Sequence, residues 1–342
     1  MKSLIVKTGA VLIAGFLLLS GGSVSGQTDR PGEFYAALYW SIGMVTHEPQ
    51  PPSGLHSYAG DTTWNHIGWN NIRVRGIGWH PAQPGIIFLA CGNGVLRSRD
   101  YGDSWKLTTD WRITEALDVV PDPHNPQRVY IATGFGIWKS PDQGETWLER
   151  NQGIRERYCN AIVADRKVKN RVIAGAWDGL YLSTDAANSW EPVGPRDVRI
   201  TDLVQSEADP TRWLAATQEN GLLLSNDNGI HWKVLPSPGN SLSLMSVAVD
   251  PLNADHLAAA GWGTGVYSSR NGGTSWTRRT RGLPTKDFYQ VVFDPTQEGR
   301  LWAATVEKGV WYSDDMGKNW QNAGLYGTLV YDMVFIQWEQ TE

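Results

Sequence analysis

The sequence predicts an all-β fold, a seven-bladed propeller of four-stranded antiparallel blades, and three observations carry that prediction. An octet typified by Ser140-Pro141-Asp142-Gln143-Gly144-Glu145-Thr146-Trp147 recurs with copies beginning at Ser98, Ser183, Ser225, Ser269 and Ser313. In chain order the copies lie 42, 43, 42, 44 and 44 residues apart, and a period near 42 is the length of one four-stranded blade. Between octets, short runs of β-branched and aromatic residues are bounded by Gly, Pro and Asn, which favours strands over helices.

Each octet position has a mechanical reason. The third residue (Asp100, Asp142, Asp185, Asp227, Asn271, Asp315) accepts hydrogen bonds from N–H groups of its own turn, and the fifth supplies a positive φ as glycine. The closing Trp opens the fourth strand and buries a large ring. Ala187 for Gly and Asn271 for Asp remain compatible with a tight turn.

The octets resemble the Asp-box, or BNR, repeats shared by sialidases, xyloglucan-type glycoside hydrolases, the sortilin luminal domain and photosystem II assembly factors. Because enzymes and non-enzymes share the motif, the resemblance implies architecture rather than activity.

The remaining strands align around the octets. An apolar inner strand ends in Asp-Pro (Val119 to Pro123, Val247 to Pro251, Val291 to Pro295), followed by a second strand such as Arg128 to Ala132 and a third such as Gly136 to Lys139. At the C-terminus, Tyr331 to Phe335 matches Tyr289 to Phe293 with nothing after it to complete a blade. The N-terminus offers Glu33 to Tyr39 as a second strand, Gly43 to Thr46 as a third, His47 to Leu55 as an inserted loop and Ser57 to Trp64 as a degenerate octet. A seventh blade of one C-terminal and three N-terminal strands closes the ring and removes exposed edges. Six blades with an N-terminal extension is the alternative.

Met1 to Gly26 reads as a secretory signal. Lys2 and Lys7 precede an apolar run from Thr8 to Leu19, and Ser23 to Gly26 offers a small-residue cleavage site. Residues 27–342 then form a single propeller, exported to periplasm or medium, and an uncleaved membrane anchor is the lesser reading because the apolar run is short. With 35 acidic against 30 basic side chains the net charge is −5, which argues against a nucleic-acid partner. Cys91 and Cys159 are too few for a disulfide scaffold and are either one bridge or two small buried residues. Of 18 Trp, seven are explained as repeat anchors and eleven are not.

In proteins with this repeat the octets lie opposite the functional face, so the resemblance directs attention to the other loops. Those between second and third strands hold Trp40, Asn93, Phe135, Trp177 with Asp178, Glu219, Trp262 and Glu307; inter-blade loops hold Trp69 with Arg73, Trp111 with Arg112, Arg155 with Arg157 and Tyr158, Arg196 with Arg199, and Lys286 with Asp287. Flat aromatic surface beside Arg suits sugar rings and also protein–protein hot spots. The ligand-binding candidates are Trp40, Trp69, Arg73, Trp111, Arg112, Arg157, Trp177, Asp178, Arg199 and Trp262. The plainer reading is that several of these rings fill gaps between blades.

Around the central channel, the position of Gln290 reads Gly76, Asp118, Ala161, Asp202, Ser246, Gln290 and Asp332. Three carboxylates there either converge on a cation or divide acid and base roles, or accept hydrogen bonds from main-chain N–H groups of the next blade. The seven histidines show no metal-ligand spacing, and neither a metal nor a cofactor is expected.

The family motifs match only in part. Sialidases carry Phe-Arg-Ile-Pro near the first blade, where this chain has Asn71-Ile72-Arg73-Val74. Ile72 to Leu89 resembles the opening of a xyloglucan-type first propeller, but the catalytic Asp turn of those enzymes is replaced by Ala90-Cys91-Gly92-Asn93-Gly94, and their second propeller has no counterpart in this length. The photosystem assembly factors match in size and export, while Tyr130-Ile131-Ala132-Thr133-Gly134 departs from their blade pattern. The leading expectation is therefore a non-enzymatic exported scaffold that holds a protein or a glycan opposite the octets and meets membranes only through a partner or an uncleaved leader. The alternative is a glycoside hydrolase, xyloglucanase-like or sialidase-like, drawing on Asp118, Asp178, Asp202, Asp287 and Asp332.

Overall fold

The computed structural model describes residues 33–40, 52–70, 72–235 and 242–338, the Trp40 side chain excepted. The chain divides into Met1–Pro31 and Gly32–Glu342. The expected leader lies outside the described residues, and everything below concerns the second unit.

Every helix or strand element among the described residues is a strand, arranged as five four-stranded antiparallel sheets and one of eight strands. In each four-stranded unit the chain runs outward from an inner strand. Ala116–Asp122, for example, pairs Asn125–Thr133, which pairs Gly136–Ser140, which pairs Leu148–Glu149. Second strands such as Ile87–Cys91, Val172–Ala176 and Trp213–Thr217 are buried throughout because neighbouring sheets cover both their faces. Five outer strands are only two residues long, whereas Glu191–Arg196 has six. Such short edges offer little template for pairing with another chain.

The eight-stranded sheet joins the chain ends. Tyr326–Ile336 pairs Glu33–Trp40 from Glu33↔Ile336 to Trp40↔Thr328, and Gly54–Gly60 and Thr63–Ile67 continue outward. Two pairs, Val306↔Leu329 and Lys308↔Tyr326, connect this unit to its neighbour Leu301–Lys308. The third strand expected at Gly43 to Thr46 lies outside the described residues, and Gly54–Gly60 occupies that place in the sheet. Ser57 to Trp64 forms a strand, a turn with Asp61 at φ 51° and a second strand rather than an octet. The reason is spacing: the residue two after Ser57 is Ala59, so no carboxylate stands where the turn needs one.

The six true octets share one hydrogen-bond pattern. In the first, Ser98 Oγ accepts from the N–H of Gly102 at 2.8 Å and donates to Asp100 Oδ1 at 2.8 Å. Asp100 Oδ1 in turn accepts from Ser104 N–H at 2.8 Å, and Oδ2 from the Ser104 hydroxyl at 2.5 Å. The seventh residue therefore supplies a side-chain donor as well, a role taken by Thr146, Ser189, His231 and Asn319 in four other copies, whereas in the Asn271 copy the amide Nδ2 donates to Ser275 Oγ at 2.9 Å. Burial opposes ionisation of Asp185, Asp227 and Asp315, yet these donors outweigh it and hold all three carboxyls down at about 2. At Gly229, φ is 77° and a Cβ would lie 2.1 Å from Ile173 Cδ1, so turn conformation and contact with the preceding sheet both demand glycine.

Apolar side chains form seven clusters among the described residues, each built from two adjacent units. Polar clamps reinforce the same interfaces: Arg97 Nη1 donates to Gln143 O at 2.5 Å, and Lys139 Nζ to Ala186 O at 2.8 Å, each reaching the octet of the next sheet. Cys91 and Cys159 are free, buried in different clusters, and burial pushes both thiols up to about 12. The bridged alternative is thereby corrected.

Candidate functional site

Three loops converge on one aromatic stack at the end opposite the octets. Tyr158 follows the strand Leu148–Glu149, Trp177 lies in the two-residue connection between Val172–Ala176 and Gly179–Ser183, and Arg199 precedes Ile200–Gln205. Main-chain bonds pin these loops: Trp177 N–H donates to Tyr158 O at 3.1 Å, and Asp197 N–H to Asp178 O at 2.9 Å. The Tyr158 and Trp177 ring centroids are 4.2 Å apart, and the Arg199 guanidinium lies 5.1 Å from a Trp177 ring. Trp177 remains 41% exposed, so the stack presents a ring to solvent flanked by a cation.

Asp178, adjacent in sequence, points the other way. It is 6% exposed and accepts from Arg155 Nε at 2.8 Å, Tyr181 OH at 2.8 Å and Arg196 Nη2 at 3.3 Å. Its oxygens are occupied by internal donors, which removes the physical basis for a ligand-binding or catalytic assignment. Asp287 likewise braces a loop, accepting Gly263 N–H at 2.6 Å beside Trp262.

The other sequence candidates are dispersed. Trp69 and Trp262 are about half exposed and Trp111 is 87% exposed. Arg112 folds back onto Asp110 at 2.6 Å, and Arg157 pairs with Glu149 at 2.9 Å, so both guanidinia are already engaged. Trp262 meets Tyr289 edge-on at 5.6 Å, and Tyr289 meets Tyr331 at 4.8 Å. Arg73 ends this chain of rings, with Nη2 donating to Tyr331 OH at 3.1 Å.

Those tyrosines bring the loop face to the central channel, and strand alternation alone would have placed them elsewhere. On every innermost strand the register skips one residue: Arg75, Leu117, Asn160, Thr201, Met245, Tyr289 and Tyr331 are each bypassed in the pairing. A bulge of this kind turns consecutive side chains toward one side. The bulged residues and the ring behind them line a cavity of about 170 Å³. Asp118, Asp202, Ser246, Gln290 and Asp332 form its floor and also border a larger, mainly apolar cavity of about 690 Å³ toward the octet end.

The three channel carboxylates tie neighbouring sheets together. Asp118 Oδ2 accepts Ile162 N–H at 2.8 Å, Asp202 Oδ2 accepts Val247 N–H at 2.9 Å and Asp332 Oδ2 accepts Ile77 N–H at 2.8 Å. Of the two readings open from sequence, the main-chain anchoring is the geometry present. Burial pushes Asp118 up to about 7 and Asp332 up to about 6, and raises Asp202 as well, despite the N–H donors. Among the described residues no group of three or more His, Cys, Asp or Glu side chains is placed to hold a metal ion.

Radial four-stranded sheets around a channel define a β-propeller. Comparison with known proteins agrees with that class. No family model matches the chain. An oligoxyloglucan-reducing end-specific xyloglucanase of Emericella nidulans is 27% identical over 191 residues, covering 48% of this chain and 24% of the relative. The chain thus spans about a quarter of the length of the curated relatives it matches. Among solved structures, a GH74 xyloglucanase from Xanthomonas campestris superimposes with a TM-score of 0.64 at 19% identity, over 84% of this chain and 54% of that one. YCF48 bound to D1 peptide gives a TM-score of 0.54 at 16% identity, over 75% and 85%. At such identities the structural likeness shows the propeller fold.

Proposed function

We propose that this chain is an exported glycan-binding propeller that holds an extracellular polysaccharide on its loop face. The observation that carries the reading is the partly exposed stack of Tyr158, Trp177 and Arg199, two rings inclined at 32° with a guanidinium over the Trp177 ring, which offers aromatic surface and N–H donors to a pyranose ring and its hydroxyls. We read the eight-stranded sheet as two blades sharing two bridging pairs, which makes seven. The seven inter-sheet clusters and seven bulged inner strands support that count, and the recurring octet is taken as an Asp-box. Residues 27–342 form the propeller and residues 1–26 its export signal in this reading.

The relatives that are xyloglucanases favour a second reading, glycoside hydrolysis of the same ligand class, over the purely structural scaffold. Against the carboxylates first considered for it stands their engagement: Asp118, Asp202 and Asp332 hold N–H groups, Asp178 is enclosed and Asp287 braces a loop. One panel tests both readings. Wild type and Trp177→Ala are compared for retention on immobilised xyloglucan, β-glucans, mannans and pectins, with release of reducing ends followed in parallel. Trp177→Ala should fold with unchanged Tm and bind at least about tenfold more weakly, some 1.4 kcal/mol. Undiminished binding by Trp177→Ala, or no retention of the wild type on any glycan, defeats the proposal; release of reducing ends selects the hydrolase reading.

A further inference from the structure

We propose that the mouth of the channel binds a carboxylate carried by the glycan, so that the ligand class is an acidic, uronate-bearing polysaccharide. This rests on the glycan reading above and names its chemistry more closely.

Two guanidinia are gathered over one ring at the channel mouth. Arg73 and Arg75 lie 5.2 Å and 4.6 Å from the Tyr331 centroid, and Arg73 donates to its hydroxyl. Elsewhere on this face Arg112 is neutralised by Asp110, Arg155 by Asp178 and Asp197, and Arg157 by Glu149, while Arg199 lies over Trp177. Among the described residues neither Arg73 nor Arg75 has a carboxylate within 4.0 Å, so both keep donors for an incoming anion. Aromatic contact leaves the forked N–H edge of a guanidinium free, and that edge matches a carboxylate in a bidentate manner.

The surroundings suit a sugar rather than a bare ion. The cavity of about 170 Å³ holds the share of five to six waters at ~30 Å³ each, enough for a carboxylate and the edge of the ring that carries it. Gln290 lines it, and its Oε1 is a buried acceptor without a donor, a partner for a sugar hydroxyl. From the mouth, Tyr331, Tyr289 and Trp262 run in contact to the exposed face, a path on which neighbouring sugar rings can stack.

The floor carboxylates tune this site. The charged and titratable groups facing it are Arg73 and Arg75 from the first unit, Asp118 and Asp202 from the second and fourth, and Tyr289, Tyr331 and Asp332 from the two units joined by the eight-stranded sheet. With Asp118 raised to about 7 and Asp332 to about 6, the floor loses negative charge as pH falls from 7.5 to 5.5. A uronate, with an ordinary carboxyl pKa of roughly 3.5, keeps its charge over that range. Affinity for the acid form therefore rises as pH falls.

Calorimetric titration of the mature chain with oligogalacturonate and oligoalginate, with fully methyl-esterified oligogalacturonate and with neutral xyloglucan oligosaccharides tests this. At least one free acid should bind tenfold or more tighter than the methyl ester, more tightly at pH 5.5 than at 7.5, and far more weakly in high salt. Arg75→Met should abolish the preference for acid over ester, and Arg75→Lys should retain part of it. If Arg75→Met does not fold, the ester comparison and salt dependence of the wild type decide. Equal affinity for acid and ester overturns this inference, as does binding of neutral oligosaccharides without either acid, and both leave the glycan reading standing. Failure to bind any glycan overturns both.

Discussion

Replacing Asp178 by Asn separates a structural carboxylate from a functional one. The carboxylate is nearly enclosed, while its partners Arg155 and Arg196 keep side-chain exposures of 60% and 36%. Asn retains an acceptor for Tyr181 OH but loses the charge that holds two guanidinia. A hydrogen bond to a charged group contributes about 1.5–3 kcal/mol, and breaking a fully buried pair costs about 3–5 kcal/mol. Because both guanidinia can turn to solvent, the lower figure applies, and a loss of about 2 kcal/mol is expected. For the unit Gly32–Glu342, at about 2.1 cal/mol/K of unfolding entropy per residue, that is roughly 3 °C in Tm. Urea and thermal unfolding with a refolding check measure it, beside glycan retention. Glycan binding should persist at temperatures where the variant is folded, since Trp177 and Tyr158 are also held by their main-chain bond. Unchanged stability together with lost binding or turnover would refute the reasoning and restore Asp178 as a functional group.

Two further outcomes follow from the interior. Asp118 and Asp332 have folded pKa values, about 7 and about 6, above the ordinary carboxyl value, so the folded chain binds more protons than the unfolded chain between about pH 4 and 7. That contribution to stability is present at the acid end and is lost as pH rises through 6 to 7; Asp118→Asn should reduce the decline in urea midpoint over this window, and parallel profiles for variant and wild type would show that the carboxyl does not titrate there. Gly229→Ala forces a left-handed alanine and a 2.1 Å contact with Ile173 Cδ1, and should cost about 2–4 kcal/mol. At Gly92 a Cβ meets open space, so its change to Ala should stay within about 0.5 kcal/mol by urea titration.

Local chemistry is legible in a linear chain because its causes lie within a few residues. The octet declares itself through Ser98, Asp100, Gly102 and Trp105 at set spacing, and one turn repeated at the length of a blade implies a radial array. The degenerate copy at Ser57 failed for an equally local reason, Ala59 in place of the turn carboxylate. Which residues share a site was less legible. Alternation along a strand places Tyr289 and Gln290, or Tyr331 and Asp332, on opposite sides, and only a bulge repeated on every inner strand brings both toward the channel. Trp177 and Asp178 are neighbours in a two-residue connection, yet one faces solvent and the other Arg155, Tyr181 and Arg196.

By itself the sequence determined the all-β character, the repeat length and the turn chemistry, since each depends on contacts between residues close in the chain. Only the tertiary structure decided that Arg73 and Arg75 meet Tyr331 some 258 and 256 residues away, that Tyr158, Trp177 and Arg199 stack, and that three channel carboxylates anchor main-chain N–H groups. Ring closure was legible in the repeat, but those meetings depend also on the one-residue slip at each bulge and on the course of the loops, which the repeat spacing does not carry.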